Sequence, residues 1–340
     1  CYNKEDNENT QDDLSSYRME DTMKLAFLVH TSRDYEEVIE MINQLTKQGD
    51  HVFIMINDND LRDKVAFVYT DYLRVHVSRT QEYAQEGDLS LARGTIIQMK
   101  EAIEKDDFDY FINLTDGMMP LKSRSEIVAF LSEHEGKDFY YDATADYDQV
   151  ALNKKSKKYY PFTNALDFPR NNFLRSLSKA SGSFFSMLGI RRKSEEVYRI
   201  GSPWFILSKA SAKILAAHFD YVSESYKLSW YAEEQYIPMM MQKYVYVNGR
   251  KDDHINQDLR VVGPNGTWVE SSDAKPLAEE TLKAHPECLF GGKITAEDTL
   301  YLYHEYFDIY NRDYEKVAQK EKRDIDPNAL IDALTKSSVE

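Results

Sequence analysis

The pattern of apolar and polar positions changes sharply at Lys24. Residues 24–30, KLAFLVH, are apolar over the length of a strand, as in a strand covered on both faces. Tyr35, Val38, Ile39, Ile42 and Leu45 then recur at helical spacing, and Gly49 can end that helix. HVFIMIN (51–57) predicts a second buried strand, and VAFVY (65–69) and LRVHV (73–77) predict short ones. Asp88 reads as the cap of a helix whose inner face is Ala92, Ile96, Met99 and Ile103. DYFINL (109–114) is a further strand, and Ser123 and Glu126 have capping-box spacing before Ile127, Phe130 and Leu131. DFYYDA (138–143) predicts another strand. Strand–helix alternation over about 120 residues predicts an α/β fold, a mostly parallel doubly wound sheet flanked by helices.

Such sheets bind ligands outside the carboxyl ends of their strands. Those ends read HTSRD (30–34), INDND (56–60), NLTDG (113–117) and DATADYD (142–148), polar groups suited to a ribose or a uracil edge. Neither GxGxxG after the first strand nor GxxxxGK[ST] occurs, which argues against a Rossmann dehydrogenase and a P-loop NTPase. The second half is less regular. It predicts a strand in RIGSPWFILS (199–208), a helix over 209–219, a helical SWYAEEQYIPMMMQ (229–242), then NQDLRVVG (256–263), ECLFGGKI (287–294) and a Tyr-rich helix from Thr295. No internal repeat is evident.

Composition narrows the class. The 340 residues carry a net charge of −16, which excludes global attraction to nucleic acid, and no nucleic-acid partner is expected. Two cysteines, Cys1 and Cys288, exclude a disulfide framework and a cysteine zinc site and favour a reducing compartment. No apolar run approaches the roughly 20 residues of a membrane span. Residues 1–22 hold seven acids against two bases and read as a disordered acidic tail. Its first residue, Cys1, reads either as a lipid-bearing cysteine after signal removal or, more plainly, as the end of a trimmed linker. The expected domain runs 23–310, a nucleotide-binding half to about 150 and an acceptor half after it, followed by a polar tail over 311–340.

Four blocks carry a family resemblance. They are AFLVH with HVFIMIND, LSLARGTIIQMKEAI…DYFINLTDGMMPLKSRSEI, GSPWFILSKA, and AEEQYIP followed by NQDLRVV and LFGGKI. In this order, over residues 24–294, they resemble the core-2/I-branching N-acetylglucosaminyltransferase family, glycosyltransferase family 14, which includes peptide O-xylosyltransferases. The resemblance implies a GT-A-like fold and inverting sugar transfer from a UDP-sugar, with no cofactor and no metal. Such a displacement needs a carboxylate to take the acceptor proton and positive charge to meet the departing diphosphate.

Glu234 matches the family's base, with Glu233 as the alternate; otherwise both are solvated acids at a helix N-terminus. Lys293 matches the cation of the LFARK-like block, here LFGGK, and otherwise is a surface lysine. A second cation has no clear counterpart, and Arg260 or a base from 154–193 is the substitute. His30, Asn57 and Asp58 are expected at the nucleoside, against plain roles in turns or at the core edge. Asp88 and Ser90 join the nucleotide-sugar set, against an N-cap role. Trp204 suits a sugar face and equally a core. Asp116 is the acceptor candidate, because Met118 stands where the family has aspartate. The alternative metal site is Asp146 with Asp148, an Asp-x-Asp following a strand.

Residues 154–193 hold ten Lys or Arg against one acid, Asp167, with Phe162, Phe168, Phe173, Phe184 and Phe185 interleaved. Three readings stand: a solvated charge run, an acceptor groove, or an interfacial helix on a membrane. The expected protein transfers GlcNAc, with xylose or another UDP-sugar as runner-up, to a glycan or lipid-linked glycan in bacterial exopolysaccharide synthesis. It is expected in the cytoplasm, with peripheral contact at the inner membrane face. The rival is a non-catalytic sugar-nucleotide or glycan-binding module.

Overall fold

The computed structural model describes residues 23–46, 49–85, 87–115, 118–165, 168, 170–193, 196–261 and 285–291. The tails expected at 1–22 and 311–340, and the helix expected from Thr295, lie outside them. Strand β1 is Leu25–Thr31, followed by α1 (Tyr35–Thr46), β2 (His51–Ile56), α2 (Asn59–Val68), β3 (Val75–Val77) and α3 (Ser90–Lys105). Next come β4 (Tyr110–Thr115), α4 (Arg124–Glu133), β5 (Asp138–Asp142), α5 (Gln149–Ser156) and α6 (Asn172–Met187). The remainder comprises β6 (Gly201–Ser208), α7 (Lys209–Ala217), α8 (Phe219–Ser225), α9 (Ala232–Met240) and the short strands β7 (His254–Ile255), β8 (Arg260–Val261) and β9 (Phe290–Gly291).

Seven strands form one sheet in the order β3–β2–β1–β4–β6–β5–β7. Among them β6 runs antiparallel to both its neighbours, and the other pairings are parallel. This is the mixed α/β, mostly parallel sheet flanked by helices that a GT-A-like fold requires.

The reason lies in the apolar runs. Leu25, Phe27 and Val29 pack with α1, α2 and α4 in one core, while Ala26 and Leu28 pack with α3, α7, α8 and α9 in a second. A strand buried on both faces shows no alternation, and each large side chain so buried contributes about 1.5–3 kcal/mol. The capping box at α4 forms as its spacing predicts, with Ser123 Oγ accepting from the Glu126 amide and Glu126 reaching back to the Ser123 amide.

The sequence expectation fails at VAFVY. Residues 65–68 lie in α2 and Tyr69 caps it, whereas β3 is confined to Val75–Val77. Asp58 starts α2 by accepting the Leu61 amide at 2.7 Å, Val65 alone of the helix is buried, and Phe67 faces out. A five-residue apolar run does not distinguish strand from helix, and here the cap decides. The helix expected over 209–219 breaks at His218 into α7 and α8.

Candidate active site

Parallel strands β1, β2 and β4 end on one side of the sheet, and α3, returning along the second core, begins there. Leu89, not the expected Asp88, is its N-cap and makes no side-chain cap bond, and the buried Asp88 carboxylate organises the turn just before it. Asp88 accepts from the Ser90 amide at 2.7 Å, the Ser90 hydroxyl at 2.5 Å and the Gln85 amide nitrogen at 2.9 Å. Burial pushes its carboxyl up, and these bonds oppose the shift. Gln85 Nε2 also donates to the Thr163 and Ala165 carbonyls, tying this turn to the basic segment. Asn57, just past β2, holds the other end of the same loop through both backbone groups of Ala84.

Helix α9 brings the two glutamates to this loop. Glu233 is buried, and its Oε1 accepts the Gly87 amide at 2.7 Å. Its Oε2 has no hydrogen-bond partner among the described residues, and burial pushes the carboxyl well above the usual range. Tyr231, just before the helix, takes a left-handed backbone (φ 58°) and donates its amide to the Gly87 carbonyl at 3.1 Å. A left-handed tyrosine costs about 1–3 kcal/mol, held here by bonds on both sides of Gly87. Glu234 follows, half-buried, in the first turn of α9. Trp230 lies beneath Gly87 in a small core with Tyr160 and Phe168. Gln85, Gly87 and Asp88 are thus joined to Thr163, Ala165 and Phe168 on one side and to Trp230, Tyr231 and Glu233 on the other, and these residues make up the mouth.

The structure sorts the expected site residues. Asn57, Asp88, Ser90 and Glu233 are brought together through the loop that runs from Ala84 to Ser90, and Glu234 adjoins Glu233. His30 lies under α3, buried, with Nε2 3.4 Å from Thr95 Oγ1 and its ring against Gly94. Asp58, exposed beside Asn57, caps α2 through Oδ1. Trp204 packs against the first core, on the sheet face opposite α9. Asp116 and Lys293 lie outside the described residues.

Arg260 is not an open cation. Its guanidinium is buried in the seam where β4 and β6 separate, donating to the carbonyls of Asp258, Asn113 and Phe205. Burial pulls it down to about 10, which is the cost of holding a charge among strand carbonyls. The Asn113 side chain completes the seam, donating to the Pro203 carbonyl and accepting the Phe205 amide. Strand β9 is held at the same end, with the Gly291 amide on the Met119 carbonyl and the Leu121 amide on the Leu289 carbonyl. Lys293 follows β9 by two residues.

At the alternative metal triplet, Asp146 accepts the Tyr141 hydroxyl and Asp148 caps α5 through the Ala151 amide. Each carboxylate thus has a local structural duty. Among the described residues, one group of possible metal ligands lies within reach of one another, His285, Glu287 and Cys288, two of them exposed.

Sequence reasoning missed Gln85, Gly87, Trp230 and Tyr231, which hold the mouth together. The signal it had was the Glu-Glu pair at a helix start. No helix among the described residues is long and apolar enough to cross a membrane. No curated protein matches the chain. The family model for the core-2/I-branching enzyme matches residues 25–290. That span runs from β1 to β9 and takes in both glutamates and the whole mouth, so the chain belongs to the core-2/I-branching enzyme family, glycosyltransferases that move a sugar from a UDP-sugar with inversion.

Proposed function

We propose that this enzyme transfers GlcNAc from UDP-GlcNAc to a hydroxyl of a glycan, with Glu234 as the general base and no metal ion. The carboxylate of Glu234 takes the acceptor proton as the acceptor oxygen bonds to the anomeric carbon. The bond from that carbon to the diphosphate breaks, and UDP leaves with the electron pair. Positioned bases of this kind contribute about 10²–10⁴-fold. Lys293 is the cation we assign to the departing diphosphate, because β9 delivers the chain to the carboxyl end of β4. Asn57, Asp88 and Ser90 frame the nucleotide-sugar, and Asp116 faces the acceptor in this reading.

The observation that carries it is the bracing of the α9 start. Glu233 and Tyr231 grip Gly87 from both sides, and this holds the helix start that carries Glu234, which supports its assignment as the base. The acceptor class we propose is a lipid-linked glycan in surface-polysaccharide synthesis, met at the inner face of the membrane.

Donor choice and metal use are read together by hydrolysis of a panel of UDP-sugars with and without EDTA. UDP-GlcNAc is expected to turn over fastest, unchanged by EDTA. Preference for UDP-xylose would overturn the sugar, and loss of turnover in EDTA would overturn the metal-free mechanism.

A further inference from the structure

Helix α6 is packed the wrong way round for a soluble surface. It buries small residues, Ser178 and Gly182, and a Cβ on Gly182 would meet the Tyr159 carbonyl oxygen at 2.6 Å. Its large apolar residues point outward instead: Phe173 is 73% exposed, Phe184 54%, Met187 76% and Leu188 57%. With Leu177 these positions fall within about 100° of the helix circumference, a single stripe. Ile190 extends it past the helix end. Contiguous apolar patches of this kind mark interaction sites.

Cations border the stripe. Lys158 Nζ donates to Ser183 Oγ at 3.0 Å, one residue from Phe184, and the exposed Arg191 follows Ile190. On the inner side Lys179 Nζ lies 4.8 Å from the Trp230 ring and Arg175 5.8 Å. The helix therefore contacts Trp230, the residue just before the left-handed Tyr231 that leads into α9.

We propose that the outer face of α6, with the bases beside it, is a docking surface for an anionic lipid bilayer. Charge selects this occupant. The segment 154–193 carries ten bases against one acid in a chain of net charge −16, so a two-fold dimer that packed this face on itself would set like charge against like charge. A glycan offers hydroxyls to a stripe of Phe, Leu and Met that can satisfy none of them. Acyl chains and anionic headgroups match both parts, and a helix lying in the interface sinks its apolar face by about 5–10 Å. Docking would set the mouth beside the headgroups. The proposal deepens the lipid-linked acceptor reading and rests on it for its purpose, while its measurement is independent of transfer.

The test floats the full chain with vesicles of phosphatidylcholine mixed with phosphatidylglycerol, at low salt, beside phosphatidylcholine alone. Binding is expected to the mixed vesicles and to weaken with salt. The double variant Phe184→Asp/Met187→Asp should weaken it at least about tenfold. Lys158→Gln/Arg191→Gln should weaken it about fivefold for each charge removed. Both variants should keep the parent's circular dichroism, and Phe184→Asp/Met187→Asp should also keep its hydrolysis of soluble UDP-sugar, because those two side chains are exposed. Absence of flotation at low salt, or flotation indifferent to Phe184→Asp/Met187→Asp, overturns the surface. So does a dimer in light scattering that this variant dissolves, with no vesicle binding. Retained UDP-sugar hydrolysis in any of these cases leaves the transferase reading standing, and lost hydrolysis with intact flotation does the reverse.

Discussion

The Glu233 carboxylate accepts the Gly87 amide across 146 positions of sequence, and this bond joins α9 to the loop before α3. It divides the adjacent glutamates into two roles. Glu233 is enclosed and braces the loop, and Glu234, half-buried beside it, is the base in the proposed reading. Glu233→Gln keeps an oxygen for the Gly87 amide and should retain the fold and most turnover. Glu233→Ala leaves a buried amide without its acceptor and a cavity, and should destabilise the protein by about 2–4 kcal/mol in urea unfolding. Turnover by Glu233→Gln as low as that of the Glu234 variant would reverse the assignment.

Glu234→Gln should lower turnover by about 10²–10⁴-fold. Calorimetry should find UDP bound as tightly as by the parent, because the substitution removes a base and leaves the nucleotide contacts intact. Residual transfer near the parental rate would mean that another group takes the acceptor proton, and absence of transfer by the parent itself would mean a binding module that retained the fold.

Gly94 in α3 lies against the His30 ring, and a Cβ there would sit 2.4 Å from His30 Cε1 and 3.2 Å from Met55 Sδ. Gly94→Ala should therefore cost about 1–3 kcal/mol, in spite of alanine's better helix propensity. Alanine in place of His30 opens the space, so the double variant should recover part of the loss. A double-mutant cycle with no coupling between the positions would refute the close contact.

The strands and their order of appearance were legible because β1, β2 and β4 are buried on both faces, so their apolar runs are unbroken. The α4 start was legible because a capping box is local. VAFVY misled because β-branched and aromatic residues favour strands, whereas the Asp58 cap seven residues upstream commits them to a helix. The Glu233–Gly87 bond, the left-handed Tyr231 and the Arg260 seam depend on partners far away in sequence, and no residue type announces them. Arg260 could be read as a site cation because its burial follows from where β4 and β6 part, which composition does not encode. The basic segment 154–193 admitted an interfacial helix among three readings, and the burial of Ser178 and Gly182, a tertiary fact, is what shows which face turns inward.

Asp138 opens β5 and holds the turn from β6 into α7. Its carboxylate accepts the Ser208 amide and hydroxyl, each at 2.9 Å, and the Ser211 hydroxyl at 2.6 Å. Burial, the largest influence, outweighs these bonds and raises it from an ordinary 3.8 to about 6. The folded chain thus keeps this proton over a range in which the unfolded chain has released it. Stability from this group is greatest below the ordinary value, falls as pH climbs toward about 6 and is level above, a loss of up to about 3 kcal/mol. Asp138→Asn keeps one oxygen for Ser208 and presents an amide to Ser211 without titrating. Urea unfolding across that interval should give the variant a flatter pH dependence than the parent. Parallel curves would mean that Asp138 is ionised throughout, with its hydrogen bonds outweighing burial.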